Sequence, residues 1–254
     1  MSDGLVARLK RPLDTRADFG EAFAGEWRGL GAAELATRSV RLAGGPVPLG
    51  DLLHISGSAN GALRLEGDFS RADRVGAGLA SGTITVVGQV GDEAGLGMSG
   101  GALIIEGDAG RRAGAASSGY RRGMTGGELI VRGSAGPEAG ASMRRGLIAI
   151  GGDAAEYAGL GLIAGTIVVF GASAAGAGQW SKRGSLVALG SVTPPATYTY
   201  ACTYWPPHVG LILTRLRDVY RLPVRDIHIT GRYRRYSGDL AELGKGEILA
   251  WQAE

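Results

Sequence analysis

The feature that most constrains this chain is a short glycine-bounded pattern that recurs seven times between residues 61 and 190. Each copy is a glycine, five residues rich in Leu, Ile and Val, and a second glycine. The opening glycines follow one another at intervals of 19 to 26 residues: Gly61, Gly82, Gly101, Gly127, Gly146, Gly165 and Gly184. A period of about twenty residues indicates a repeat architecture in which each copy packs mainly on its neighbours.

The residues between the glycines alternate in polarity. The second and fourth positions are apolar in every copy, as in Leu63 and Leu65 or Ile167 and Val169. Alternation with period two predicts a strand with one buried face, and the linkers are long enough for parallel crossovers. We therefore predict an all-β fold, a right-handed parallel β-helix of about seven coils with glycines at the corners. A left-handed hexapeptide β-helix is a less favoured alternative, because only one side of each coil is aliphatic.

The outward position of the strands becomes apolar in the later copies. It is Arg64 and Thr85 at first, and then Ile104, Ile130, Ala149, Val168 and Val187. A strand that is apolar on both faces is normally covered on both faces. We expect either the C-terminal segment or another protein to cover this surface.

These patterns divide the chain into three parts: an N-terminal cap at 1–38, the glycine-rich β-helix at 39–192, and a C-terminal segment at 193–254 that packs on it. In the first part we predict a strand at Leu5–Leu9 and a short helix at Gly31–Arg38. Val40 and Leu42 then resemble a degenerate coil, and Leu52–Gly57 a lead-in strand.

The C-terminal segment changes in composition. Apolar residues from Val209 to Val219 follow the i, i+3, i+4, i+7 spacing of an amphipathic helix that begins near Pro207. Two further strands are predicted, Val224–Thr230 and Ile248–Trp251. A small α/β tail of this kind could fold back on the repeats.

Composition narrows the functional classes. The net charge is only +3, which does not predict nucleic-acid binding. Cys202 is the single cysteine, so neither an intrachain disulfide nor a CxxC metal site is available. The start of the chain has no signal-peptide pattern, and no apolar run approaches eighteen residues. We expect a cytoplasmic protein that does not contact the membrane.

Two apparent ligand motifs have structural explanations. Gly95–Gly100 spells the dinucleotide motif GxGxxG, but a strand follows it where that motif requires a helix. Asp68, Asp108 and Asp153 follow closing glycines as in calcium-binding β-rolls, whose repeats are only nine residues long. We interpret these aspartates as turn residues.

No catalytic set is evident. His54, His208 and His228 are scattered and belong to no metal-binding or triad pattern. An enzyme with a groove along the repeats is the alternative, and it would need stacked carboxylates. The available acids do not stack convincingly: Glu66, Glu106, Glu128 and Glu156. We predict no catalytic residue and no metal ligand in this chain.

The strongest surface feature is basic. Arg144-Arg145 and Lys182-Arg183 occupy the same two places in copies five and seven, and Arg121-Arg122 lie in the longer linker of copy four. Equivalent positions of a repeat stack, which would place the first two pairs roughly 10 Å apart. Such pairs could bind a polycarboxylate or an acidic patch of a partner, although solvated surface charge is the alternative for any one pair.

The chain resembles the family formed by the C subunits of formylmethanofuran dehydrogenase and of the bacterial formyltransferase/hydrolase complex. The resemblance runs from about Leu35 to the end of the chain. It includes the repeats Gly76-Ala-Gly78-Leu-Ala-Ser-Gly82 and Gly95-Leu-Gly97-Met-Ser-Gly-Gly101, and the closing stretches Arg235-Tyr-Ser-Gly-Asp239 and Gly244-Lys-Gly-Glu247. The C-terminal domain of the glutamate synthase large subunit has similar repeats and is a further alternative.

The resemblance implies a non-catalytic subunit, with metals and catalytic residues in sister subunits. In that family a formyl group passes between tetrahydromethanopterin and methanofuran, and is hydrolysed to formate or, in the molybdenum or tungsten enzyme, oxidised to carbon dioxide. An Arg-, Ala- and Gly-rich composition favours the bacterial hydrolase version. Formyltransferase and amidohydrolase-like subunits would be the partners, and the acidic chain of methanofuran becomes a candidate ligand for the basic pairs.

Overall fold

A computed structural model describes residues 4–25, 29–117 and 119–252. The N-terminal region contains short elements: β1 (Leu5–Leu9), β2 (Ala17–Asp18), α1 (Ala32–Thr37), β3 (Ser39–Leu42), β4 (Gly45–Pro48), α2 (Leu49–Leu52) and β5 (Leu53–Ser56). The predicted strand at Leu5–Leu9 and the predicted helix at Gly31–Arg38 are confirmed as β1 and α1. The segment at 26–28 lies outside the described residues.

Each of the seven predicted repeats forms a strand. The elements of this region are β6 (Ala62–Glu66), β7 (Ala72–Asp73), β8 (Thr83–Val87), β9 (Ser99–Ile105), β10 (Gly126–Val131), β11 (Leu147–Ile150), β12 (Thr166–Val169) and β13 (Arg183–Ala188). All seven opening glycines have positive φ, from 68° at Gly101 to 103° at Gly146. Side chains rarely adopt this conformation, which explains why glycine recurs there.

The repeat strands pair in parallel and in register. The order β6-β8-β9-β10-β11-β12-β13 follows the chain, apart from the two-residue β7, which belongs to a second sheet. Inward positions therefore align from strand to strand, as Ile148 pairs with Leu129 on one side and Ile167 on the other. A second line of parallel bridges links the following turns, at Phe69, Val90, Ala109, Ala135, Ala154, Ser173 and Val192.

The sheet as a whole is mixed, which differs from a purely parallel array. The C-terminal segment contributes β14 (Thr199–Tyr204), α3 (Pro207–Asp218), α4 (Asp226–Thr230), β15 (Tyr233–Gly238) and β16 (Lys245–Trp251). β16 extends the ladder in parallel beside β13, and β15 and β14 then add antiparallel strands. At the other end, β1 pairs in parallel with β6 and antiparallel with β5.

Two of the predicted elements are wrong. Val40 and Leu42 do not form a coil of the ladder, because β3 turns back through Ala43-Gly44 into an antiparallel hairpin with β4. The segment Val224–Thr230 is not a strand, since Asp226–Thr230 forms the helix α4. By contrast, the predicted helix after Pro207 and the predicted strand at Ile248–Trp251 are confirmed as α3 and β16.

Two apolar cores lie on opposite faces of the parallel strands. The inward residues and the N-terminal segment share one core, in which Phe19, Leu35 and Leu49 are fully buried. The outward residues of the later strands pack against the C-terminal segment, with Ile130, Val168 and Val187 in one cluster with Leu213 and Tyr233. The tail therefore removes from water the outer apolar surface of the later repeats.

Candidate binding surface

The two basic pairs at the strand starts occupy equivalent backbone positions. The Arg144 N–H donates to the Met124 carbonyl and the Lys182 N–H donates to the Leu162 carbonyl, each at 2.8 Å. Ile163 makes the same bond in the intervening turn. Arg144 and Lys182 therefore lie two turns apart, roughly 10 Å at the usual strand spacing.

The C-terminal segment adds a fifth cation, Lys245, to this row of four. Arg183 pairs with Lys245 in the parallel ladder between β13 and β16. Arg145, Arg183 and Lys245 each directly precede a glycine. The sequence therefore already contained a basic residue followed by glycine at all three places. Lys245 can be assigned to the row only once β16 is known to pair with β13.

The remaining pair lies beside this row. Arg121 and Arg122 are exposed and precede Gly123, whose N–H donates to the Ser142 carbonyl at 2.8 Å. This bond holds the longer linker against the turn that carries Arg144. Ser118, in the same linker, lies outside the described residues. We name the seven cations together the basic strip: Arg121, Arg122, Arg144, Arg145, Lys182, Arg183 and Lys245.

The basic strip is electrostatically unneutralised within the part of the chain that the structure describes. None of its members forms an ion pair there, and all except the half-buried Arg144 are exposed. Other arginines behave differently: Arg112 bridges Glu93 and Glu138 at 3.3 and 2.8 Å. A row of unpaired guanidinium and ammonium groups attracts anionic ligands and suits bidentate binding of carboxylates.

The turn aspartates are accounted for by the backbone. Asp108 accepts a hydrogen bond from the Ser134 N–H and Asp153 from the Ala172 N–H, both at 2.7 Å. Each carboxylate thus caps the next turn. Asp68 accepts from the Ser70 N–H at 2.9 Å. The motif at Gly95–Gly100 is likewise a corner that leads into β9, with Gly95 and Gly97 at φ 64°.

Buried titratable groups have structural partners. Asp239 is fully buried and accepts from the backbone N–H groups of Trp180 and Ala241, at 2.8 and 2.9 Å. His228 lies against the edge of Trp251, and burial together with nearby Arg225 lowers its pKa. Among the described residues, no three His, Cys, Asp or Glu side chains are grouped so as to hold a metal ion.

These features define a class: a β-rich repeat protein that presents an extended cationic surface. No protein-family model matches the chain. A curated relative, the C subunit of the formyltransferase/hydrolase complex Fhc of Methylorubrum extorquens, is 36% identical over 84 residues. That match spans 33% of this chain and 32% of the relative's own length.

A solved structure extends the similarity to the whole chain. It is a chain of the formyltransferase/hydrolase complex FhcABCD from Methylorubrum extorquens, crystallised in complex with methylofuran. The two chains are 34% identical, the match covers 98% of this chain and 100% of that one, and the TM-score is 0.80. This chain belongs to the family of formyltransferase/hydrolase complex C subunits. Both of these relatives come from a formyltransferase/hydrolase complex. Within the described residues, no helix is long and apolar enough to cross a membrane.

Proposed function

We propose that this chain is a structural, non-catalytic subunit of a formyltransferase/hydrolase complex. The observation that carries the proposal is the match over nearly the full length of both chains to a component of such a complex. The curated match covers only about a third of its relative, so the complex's activity and partners are also part of the proposal.

The proposed reaction belongs to one-carbon metabolism. The complex transfers a formyl group from tetrahydromethanopterin to methanofuran and releases it as formate. Formyltransferase and amidohydrolase-like hydrolase subunits are the proposed partners and carry the catalytic and metal-binding groups. This chain supplies a rigid surface on which they assemble, and a cytoplasmic location remains a prediction.

The basic strip is the proposed ligand-binding surface of this subunit. Its row of cations without acidic partners would bind the acidic chain of methanofuran or an acidic surface of a sister subunit. Support comes from the charge and spacing of the row, and from the methylofuran in the related complex. This chain has no metal or cofactor of its own in the proposal.

We propose further that the parallel ladder closes into a right-handed β-helix. Two parallel ladders of one chain, at the strands and at the turns after them, support coils rather than a flat sheet. The inward residues of both ladders also share one core. A crystal structure without the second ladder, or with left-handed crossovers, would refute this proposal.

Reconstitution tests the function. The full chain is co-expressed with the formyltransferase and hydrolase subunits of its own host. We expect all components to co-elute and to release formate from the formyl donor, and we expect little complex to form when this chain is omitted. Complete assembly and activity without this chain would contradict the structural role.

Charge reversal tests the basic strip in the assembled complex. Arg144→Glu combined with Lys182→Glu should weaken methanofuran binding about tenfold or more at low salt and reduce its salt dependence. The matched control reverses Arg221 and Arg232, two exposed arginines of the C-terminal segment. An unchanged dissociation constant in the Arg144→Glu, Lys182→Glu variant would show that the basic strip does not bind methanofuran.

A further inference from the structure

A groove lies on the corner of the repeats beside the basic strip. Its volume is about 490 Å³, and Tyr120 and Trp180 both line it. Between them its floor is formed by Ala116, Ala141 and Leu160. We call this feature the corner groove.

The floor of the corner groove is apolar because outward residues stack at this corner. Ala77, Leu96, Ala115 and Ala141 form one buried cluster, against which the half-buried Leu160 packs. These residues lie outside the two main cores. An apolar strip at the bottom of a surface groove provides a seat for an apolar side chain.

Trp180 is fixed in an exposed position at one end. It has φ 59°, a conformation that is strained for a bulky residue, and the residue is 52% exposed. The fully buried carboxylate of Asp239 accepts its backbone N–H at 2.8 Å and thereby stabilises the conformation. A large aromatic side chain kept in water by a strained backbone has no role in the cores of the described fold.

Tyr120 forms the opposite end and is 76% exposed on the longer linker of the fourth repeat. Ser142 and Gly161 occupy successive turns between Ala116 and Trp180, linked by equivalent backbone hydrogen bonds. Three turn spacings amount to roughly 14 Å, the length of about four residues of extended chain. The corner groove therefore matches an extended segment that runs across the turns.

The lining of the corner groove includes the carboxylate of Glu138, which Arg112 neutralises at 2.8 Å. The cations that surround the groove therefore determine the charge of the occupant. Arg122, Arg144 and Lys182 each lie two residues from Tyr120, Ser142 or Trp180. These cations have no acidic partner among the described residues. Tyr, Trp and Arg are the residue types that dominate binding energy at protein interfaces.

We propose that the corner groove docks an extended acidic segment of a partner subunit, with one aromatic or aliphatic side chain seated between Tyr120 and Trp180. The inference rests on the proposed structural role and adds the chemistry of a docking site. The acidic residues of the segment contact the basic strip, and the apolar side chain covers the floor.

Two peptides of equal charge test the proposal with the full chain. Fluorescein-labelled Glu-Glu-Phe-Glu-Glu and Glu-Glu-Gly-Glu-Glu are titrated at low and physiological salt, with anisotropy as the readout. We expect the phenylalanine peptide to bind about tenfold more tightly, because only it fills the apolar floor. Equal affinities would show a purely electrostatic surface and would overturn the proposal, as would no binding of either peptide.

Variants show which residues cause the tighter binding of the phenylalanine peptide. Trp180→Ala or Tyr120→Ala should abolish this preference, and Trp180→Phe should retain part of it. Arg144→Glu should weaken the binding of both peptides alike. The control is Trp205→Ala, which removes an equally exposed indole from the C-terminal segment. A Trp180→Ala effect no larger than that of the control would overturn the site.

Assembly separates this inference from the proposed function. If the wild-type chain joins its sister subunits but shows no peptide preference, the docking site is wrong and the structural role stands. If the preference is present but the chain enters no complex, the proposed function fails instead.

Discussion

Arg215 in α3 makes a bidentate ion pair with Glu128 in β10. Its Nε donates to Oε1 at 2.6 Å and its Nη2 to Oε2 at 2.8 Å. The Tyr220 hydroxyl also donates to Glu128 Oε2. These contacts tie the C-terminal segment to the fourth repeat at the edge of the outer apolar core.

Arg215→Ala should lower the free energy of unfolding by about 1 kcal/mol. This loss of stability is small because the guanidinium is half exposed and screened by solvent, although the ion pair is bidentate. Urea denaturation measures the change. Arg217→Ala is the control, since Arg217 pairs with the exposed Asp218 and Asp226 of its own segment. Equal losses in the two variants would contradict a stabilising role of the Arg215–Glu128 ion pair between the C-terminal segment and the fourth repeat.

Stability should fall at alkaline pH through Tyr220. Burial and its bond to Glu128 raise the pKa of the Tyr220 hydroxyl to about 12. A raised pKa means that the folded state holds the proton more tightly, so this contribution is complete below the ordinary value of 10 and is lost as pH rises towards 12. The difference in unfolding free energy between wild type and Tyr220→Phe should shrink by about 1 kcal/mol from pH 9.5 to 11. A constant difference would contradict the linkage.

Gly127→Ala should destabilise the fold by about 2 to 4 kcal/mol. Gly127 has φ 85°, and an added Cβ would lie 2.5 Å from the Gly100 carbonyl oxygen of the previous turn. Gly97→Ala separates the two effects, because Gly97 has φ 64° but an added Cβ would meet no atom of the described residues within 4 Å. That control should cost only about 1 kcal/mol, measured by thermal and urea unfolding. An equal loss of unfolding free energy in the two variants would refute the close approach of adjacent turns at Gly127.

Leu213→Ala should cost about 2 to 4 kcal/mol, because Leu213 is fully buried in the outer core. Faster hydrogen exchange should follow in β11 to β13, where the helix covers the outward side chains. Leu211→Ala in the same helix is the matched control, since Leu211 is 75% exposed and should change stability by less than about 0.5 kcal/mol. Unaltered exchange in the Leu213 variant would mean that the tail does not protect the sheet.

Some elements were missed because their determinants are distant in sequence. The helix α4 replaces the predicted strand where two side chains distant in sequence, and one from the strand that follows, donate to its carbonyls. The Trp205 and Trp251 indoles donate to the Ile229 and Ile227 carbonyls at 2.8 and 3.2 Å, and the Tyr233 hydroxyl to the His228 carbonyl at 2.6 Å. These bonds satisfy groups that a short helix leaves unpaired, and no local pattern indicates them.

The sequence by itself determined the repeated strands, their direction and the inward set of apolar residues. Their causes are local, because glycine permits the corner conformations and alternation selects the buried face. It also located six of the seven cations of the basic strip. Only the tertiary structure decided that β16 brings Lys245 beside Arg183, that the ends of the sheet turn antiparallel, and that Tyr120 and Trp180 face one groove. Those relationships depend on the register between segments separated by about sixty residues, and side-chain contacts across the fold set that register.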